Sequence, residues 1–137
     1  MILGESLEDY LETLLILDNE NGKIRCVDVA KKMDVSKPSV NKAMNVLKEK
    51  GLVQQETYGD IHFTPEGREL AVKVYQRHTT IRSFLEDVLG VAPETAEEEA
   101  CHIEHVISED TFQKIKISKD SAFFRNALFC CIFWKTE

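Results

Sequence analysis

The sequence predicts a mainly α fold in which an N-terminal winged helix-turn-helix precedes an all-helical second domain. Three observations carry that prediction. Apolar residues recur every three to four positions through most of the 137-residue chain. Two short β-prone runs flank a Gly-Asp turn at Gly59-Asp60, and nowhere else does a hairpin pattern occur. The charge also changes sign along the chain, from −6 over residues 1–22 to +5 over 23–50 and −9 over 86–110.

The elements follow in order. Leu7, Tyr10, Leu11, Leu14 and Leu15 share one helical face, so residues 6–20 read as an amphipathic helix that Asn21-Gly22 ends. Val27, Val29, Ala30 and Met33 mark a short second helix that stops near Asp34. Ser36 is an N-cap with Pro38 in the first turn of a third helix, which buries Val40, Ala43, Met44 and Leu47 and closes at Gly51. The runs Leu52–Glu56 and Ile61–Thr64 form the hairpin. Pro65-Glu66-Gly67 opens a long helix whose stripe includes Leu70, Val74, His78, Ile81, Leu85 and Leu89, with Gly90 as its stop. Pro93 starts an acidic helix reaching Ile107, and Ser108 caps another through Ile117. The composition changes near residue 72, which divides the chain into a winged helix-turn-helix part, 1–72, and a helical second part, 73–137.

Composition bounds the function. Apolar residues at 43% and charged residues at 30% are an ordinary globular balance. The net charge of −7 excludes a strongly basic chain and the simplest whole-protein case for nucleic-acid binding. No apolar run reaches the roughly 18 residues that span a bilayer. Met1 to Asp9 lacks the basic and apolar regions of a secretory signal. Cys26, Cys101, Cys130 and Cys131 show no CxxC spacing, so thiols or a metal ligand are expected in place of disulfides. These features read as a soluble protein of the cytoplasm.

The order of helix, tight turn, helix and hairpin is that of a winged helix-turn-helix. Its recognition helix would present Ser36, Lys37, Pro38, Ser39, Asn41 and Lys42 to DNA, with free N–H groups at its start for a phosphate. Tyr58 would stand at the wing tip. The plainer alternative is a helical pair with a solvated basic face; the local +5 and the element order favour DNA.

The acidic part carries Cys101, Glu104 and His105 at i, i+3 and i+4, which brings thiolate, carboxylate and imidazole to one helical face. Glu98 and His102 share a neighbouring stripe as weaker candidates. Further donors must come from other helices: Asp9 and Glu12 from the first, His78 from the long one. A histidine on an apolar stripe is more often a core residue than a ligand, and acids in a first turn usually complement the helix dipole. Ligand-type residues at inward-compatible positions on three helices nonetheless favour a shared site. The segment His102-Ile103-Glu104-His105 matches neither HExxH nor HxxEH, and the chain has no G-x-S-x-G elbow, P-loop or GxGxxG turn, so no enzyme motif is present.

Four pieces of the chain resemble the metal-dependent repressors that include the diphtheria toxin repressor and the manganese transport regulators. They are Glu8-Asp9-Tyr10-Leu11-Glu12, Val35-Ser36-Lys37-Pro38-Ser39-Val40, Phe63-Thr64-Pro65-Glu66-Gly67, and the run from Glu99 to Ser108. The resemblance spans roughly residues 5–117. It implies a cytoplasmic homodimer whose second domain dimerises and binds metal, and which represses metal-homeostasis genes at a palindromic double-stranded operator when Mn²⁺ or Fe²⁺ is bound. Zn²⁺ and Co²⁺ are compatible with the same donors. The family's ligand positions fall on Asp9, Glu12, His78, Cys101, Glu104 and His105. Asp9 is the manganese-type choice and Cys101 the iron-type choice, so the chain is a hybrid. Iron-type members also take ancillary ligands at the positions of Glu97 and Arg82, and a guanidinium cannot ligate a metal.

No membrane or small organic substrate is expected as a partner. The run Phe123–Trp134 departs from the family pattern and is expected to pack in a core or dimer interface, as a tail in place of the added domain of larger members. Two rival classes stay open at this level: a winged-helix DNA-binding dimer that senses no metal, and a metal-dependent enzyme.

Overall fold

In a computed structural model the protein is described over residues 4–57 and 59–134, with side chains as far as residue 121. It divides into two compact units, Met1–Tyr75 and Gln76–Glu137.

The first unit holds α1 (Glu5–Asn21), α2 (Cys26–Met33), α3 (Lys37–Glu49), the strands β1 (Val53–Gln55) and β2 (Ile61–Phe63), and the first half of α4 (Pro65–Asp87). Leu11, Leu14, Val29, Val40 and Leu47 are fully buried in its core. Removing each such side chain from water contributes about 1.5–3 kcal/mol. Gly22 ends α1 in the left-handed conformation, φ 67°, and its N–H bonds to the Asp18 carbonyl. The turn between α2 and α3 passes through Asp34 at φ 53°, a conformation that aspartate tolerates better than most residues, and Val35 N–H returns to the Ala30 carbonyl at 3.1 Å. The Ser36 hydroxyl then accepts from Ser39 N–H at 3.3 Å and Pro38 lies in the first turn, so α3 begins where its cap requires.

The strands pair antiparallel with Val53 opposite Phe63 and Gln55 opposite Ile61, and Ile24 adds an isolated bridge to Ile61. The wing is thereby tied to the core by buried Ile24 and Ile61. Tyr58 lies outside the described residues. At the start of α4, Thr64 Oγ1 donates to the Gly51 carbonyl at 2.7 Å and accepts from Gly67 N–H at 3.0 Å. Gly67 is there for space: a Cβ on it would lie 1.8 Å from the Leu52 carbonyl oxygen.

The second unit contains the rest of α4, α5 (Pro93–Ile103) and α6 (Glu109–Trp134). Ile81, Leu85, Ala96 and Ala100 are buried together, with Phe84, Ile103, Ile107 and Phe112 packed against them. Three boundaries differ from expectation. The long helix stops at Asp87, so Leu89 is left 60% exposed and off the stripe, because Gly90 turns at φ 70° and Val91 N–H reaches back to the Leu85 carbonyl. The acidic helix stops at Ile103 and not Ile107. Arg77 stabilises the turn that follows: it donates to the Ile107 carbonyl at 2.7 Å and its guanidinium stacks 5.2 Å from the Phe112 ring centroid. Ser108 caps the last helix by accepting from Thr111 N–H at 3.1 Å, and that helix continues to Trp134, well past Ile117. Among the described residues no helix is long and apolar enough to cross a membrane.

Candidate metal centre and nucleic-acid face

The ligand-type residues of the second unit come from two places. His78 sits on the buried side of α4, and Cys101, Glu104 and His105 straddle the C-terminus of α5. Although α5 ends at Ile103, Glu104 keeps helical backbone angles (φ −57°, ψ −28°) and its N–H bonds to the Ala100 carbonyl. The one-turn spacing of Cys101, Glu104 and His105 therefore survives the helix end. One donor atom from each of these three residues lies within 4.8 Å of the others.

Glu104 is the centre of the group. It is only 3% exposed, a rare burial for a carboxylate. Its Oε2 is 3.0 Å from His78 Nδ1 and its Oε1 is 3.2 Å from His105 Nε2. These are close approaches without hydrogen-bond geometry, and neither Glu104 oxygen accepts a hydrogen bond among the described residues. A misaligned N–H contributes little, so these contacts leave the carboxylate unsatisfied. A buried anion without hydrogen bonds is costly. A divalent cation fits this place: carboxylate, imidazole and thiolate are its donors, and its charge would offset the buried carboxylate.

Behind His78 stands a second pair. His78 Nε2 and Glu97 Oε1 are 3.0 Å apart, and Arg82 Nη1 donates to Glu97 Oε2 at 3.0 Å. Partial burial pushes the Glu97 carboxyl up, but the Arg82 hydrogen bond, the His78 hydrogen bond and the Arg82 charge outweigh it. The net pKa is lowered from the ordinary value of 4.5. The positions of Glu97 and Arg82 thus hold an ion pair. Their convergence on His78 was not legible beforehand, since the partners lie 19 and 15 residues apart on different helices. Glu98 and His102 are exposed.

In the first unit, Asp9 and Glu12 lie one turn apart on α1. On α3, Val40, Ala43, Met44 and Leu47 are buried while Ser36, Lys37, Pro38, Ser39, Asn41 and Lys42 are all exposed on the capped N-terminal end. Free N–H groups of the first turn and two lysine ammonium groups make this end suited to a phosphate.

Comparison with known proteins bears on both units. Residues 2–61 match the iron-dependent repressor N-terminal DNA-binding domain, and residues 64–118 match the iron-dependent repressor metal-binding and dimerisation domain. An uncharacterized HTH-type transcriptional regulator of Methanocaldococcus jannaschii is 35% identical over 84% of this chain and 93% of its own length. The transcriptional regulator MntR of Escherichia coli is 36% identical over 82% of this chain and 72% of its own. The solved structure of the manganese regulator SloR superposes with a TM-score of 0.74 at 29% identity, covering 83% of this chain and 53% of that one. The chain spans about half the length of such solved relatives.

Proposed function

The chain belongs to the iron-dependent repressor family, and from that membership we propose that it is a metal-responsive, DNA-binding transcriptional repressor controlling metal homeostasis in the cytoplasm. The observation that carries the metal half is Glu104, a buried carboxylate without hydrogen bonds among the described residues, approached by two imidazoles with a thiol close by. His78, Cys101, Glu104 and His105 hold the ion, and Asp9 and Glu12 supply further oxygen donors to it. Hard carboxylates suit Mn²⁺ or Fe²⁺, while the Cys101 thiolate shifts preference toward Fe²⁺, Co²⁺ or Zn²⁺. Mn²⁺ or Fe²⁺ is the effector this donor set favours.

Residues 1–72 form the DNA-binding part and residues 73–137 the metal-binding and dimerising part. Ser36, Lys37, Pro38, Ser39, Asn41 and Lys42 meet the operator, with Tyr58 at the wing. The bound cation supplies positive charge among the carboxylates. Without it, the carboxylates of the donor set keep an uncompensated charge and fewer molecules hold the arrangement that DNA selects. A homodimer presents two recognition helices, so the operator is a palindrome with half-sites one helical turn or a multiple apart.

Selection of bound duplexes from a random pool tests this, run with Mn²⁺ and again with chelator. The expected result is a palindromic consensus recovered with Mn²⁺ alone. A consensus of equal strength in chelator would leave a winged-helix dimer that senses no metal. No consensus in either arm would remove the repressor reading.

A further inference from the structure

Three side chains on the side of His78 away from Glu104 do work that metal ligation alone does not explain. Glu97 Oε1 lies 3.0 Å from His78 Nε2, and Glu97 Oε2 receives Arg82 Nη1 at 3.0 Å. Arg82 is steadied by Glu86, 3.9 Å away and one turn along α4. An ionised carboxylate only accepts, so the hydrogen it meets on His78 must be on Nε2. In the neutral ring, the form that can ligate a cation, the lone pair then falls on Nδ1, the atom 3.0 Å from Glu104 Oε2. In that tautomer Nδ1 has no hydrogen to give Glu104, which agrees with the lack of hydrogen bonds at the Glu104 oxygens.

We propose that Glu97, oriented by Arg82, is a positioning residue that fixes His78 as the Nε2–H tautomer and presents Nδ1 to the ligand set before any cation arrives. The inference rests on the metal-binding reading above. Carboxylates behind ligating histidines orient the ring and raise its basicity. Here the carboxylate is itself held at its second oxygen, so the acceptor that Nε2 meets is fixed in place. The guanidinium also keeps a second cation from Glu97: both carboxylate oxygens are engaged, and the nearest charge is already positive. The ion pair thus replaces a second metal position with a fixed support for the first.

Two measurements on the full chain test this. The first is the His78 tautomer in metal-free protein, read from long-range ¹H–¹⁵N correlations of the ring. Wild type should show Nε2 protonated and Nδ1 bare, Glu97→Ala should show a mixture, and Glu97→Gln should restore the wild-type pattern because its amide oxygen still accepts. The second is Mn²⁺ affinity by competition with a fluorescent chelator. Glu97→Ala should weaken it by about 10–100-fold, with Glu97→Gln recovering most of the loss. If Glu97→Ala does not fold, Arg82→Gln gives the same readout at an accessible position, with a smaller loss in the same direction. A protonated Nδ1 in wild type, or unchanged affinity and tautomer in both variants, would overturn the proposal. If wild type itself fails to bind Mn²⁺, the metal reading falls. The tautomer experiment, made without metal, still decides this one.

Discussion

Replacing Glu104 by glutamine separates what the residue does for the fold from what it does for the metal. The two effects have opposite signs. Glu104 is 3% exposed and its oxygens accept no hydrogen bond among the described residues, so in metal-free protein the carboxylate weakens the second unit. A buried polar group in that state costs about 1–3 kcal/mol, more when charged. Glu104→Gln removes the charge and adds an amide N–H within reach of the imidazole nitrogens now 3.0 and 3.2 Å away. Metal-free stability should therefore hold or rise, by about 1–3 kcal/mol. The metal-dependent part goes the other way. A cation at 100 times its dissociation constant stabilises the folded state by about 2.7 kcal/mol. For a chain of this length that is a rise in Tm of about 10 °C. Differential scanning calorimetry at fixed protein concentration, in chelator and in Mn²⁺, reads both effects. Wild type should show the full shift and the variant almost none, from a starting Tm no lower than wild type. A variant that keeps the full Mn²⁺ shift would refute the placement of the ion at Glu104. One that melts well below wild type in chelator would refute the claim that its carboxylate is a burden on the metal-free fold.

Other expectations follow from the same contacts. Gly67→Ala should lower the urea midpoint by an amount equivalent to about 1–3 kcal/mol or more, since its Cβ would lie 1.8 Å from the Leu52 carbonyl and backbone must move. Ser36→Ala should cost about 0.5–2 kcal/mol of stability through loss of the cap on Ser39 N–H, measured by the same titration. Lys42→Ala should weaken binding evenly across operator variants and reduce the salt slope by about 0.9 for the lost phosphate contact, read by anisotropy at several salt concentrations. The Glu97 carboxyl has a lowered pKa, so its contribution is complete above the ordinary 4.5 and is lost as pH falls through the lowered value. Glu97→Gln should flatten that acid limb of a stability–pH profile by lowering stability in the neutral range, with little change below the lowered pKa.

Much of the first unit was legible because local chemistry and tertiary need agree there. Ser36, Pro38 and Gly51 mark the ends of α3, and the buried set Val40, Ala43, Met44 and Leu47 is the set its spacing selects. The second unit was harder to read. The run from Pro93 keeps helical periodicity past Ile103, with no glycine or proline to mark the end. The turn that follows is held by Arg77, 30 residues before Ile107, whose carbonyl it bonds. Leu89 fits the α4 stripe by spacing, yet the turn at Gly90 closes on the Leu85 carbonyl first and leaves it exposed. Around His78 the spacing pointed to an inward histidine but not to Glu97, because a hydrogen bond between helices leaves no period in the sequence. The one-turn grouping of Cys101, Glu104 and His105 was legible for the opposite reason, being a property of a single helical end.

The most direct measurement of metal control is the affinity for one selected operator duplex, titrated anaerobically so that Cys101 stays reduced and Fe²⁺ stays ferrous. Titrations with Mn²⁺, with Fe²⁺ and with chelator at constant ionic strength should differ by at least about 5–150-fold, the usual range for coupled sites. The metal-loaded protein should be the tighter binder and Glu104→Gln should lie on the chelator curve. Equal affinity in all three titrations, with the duplex still bound specifically, would contradict metal control of this protein.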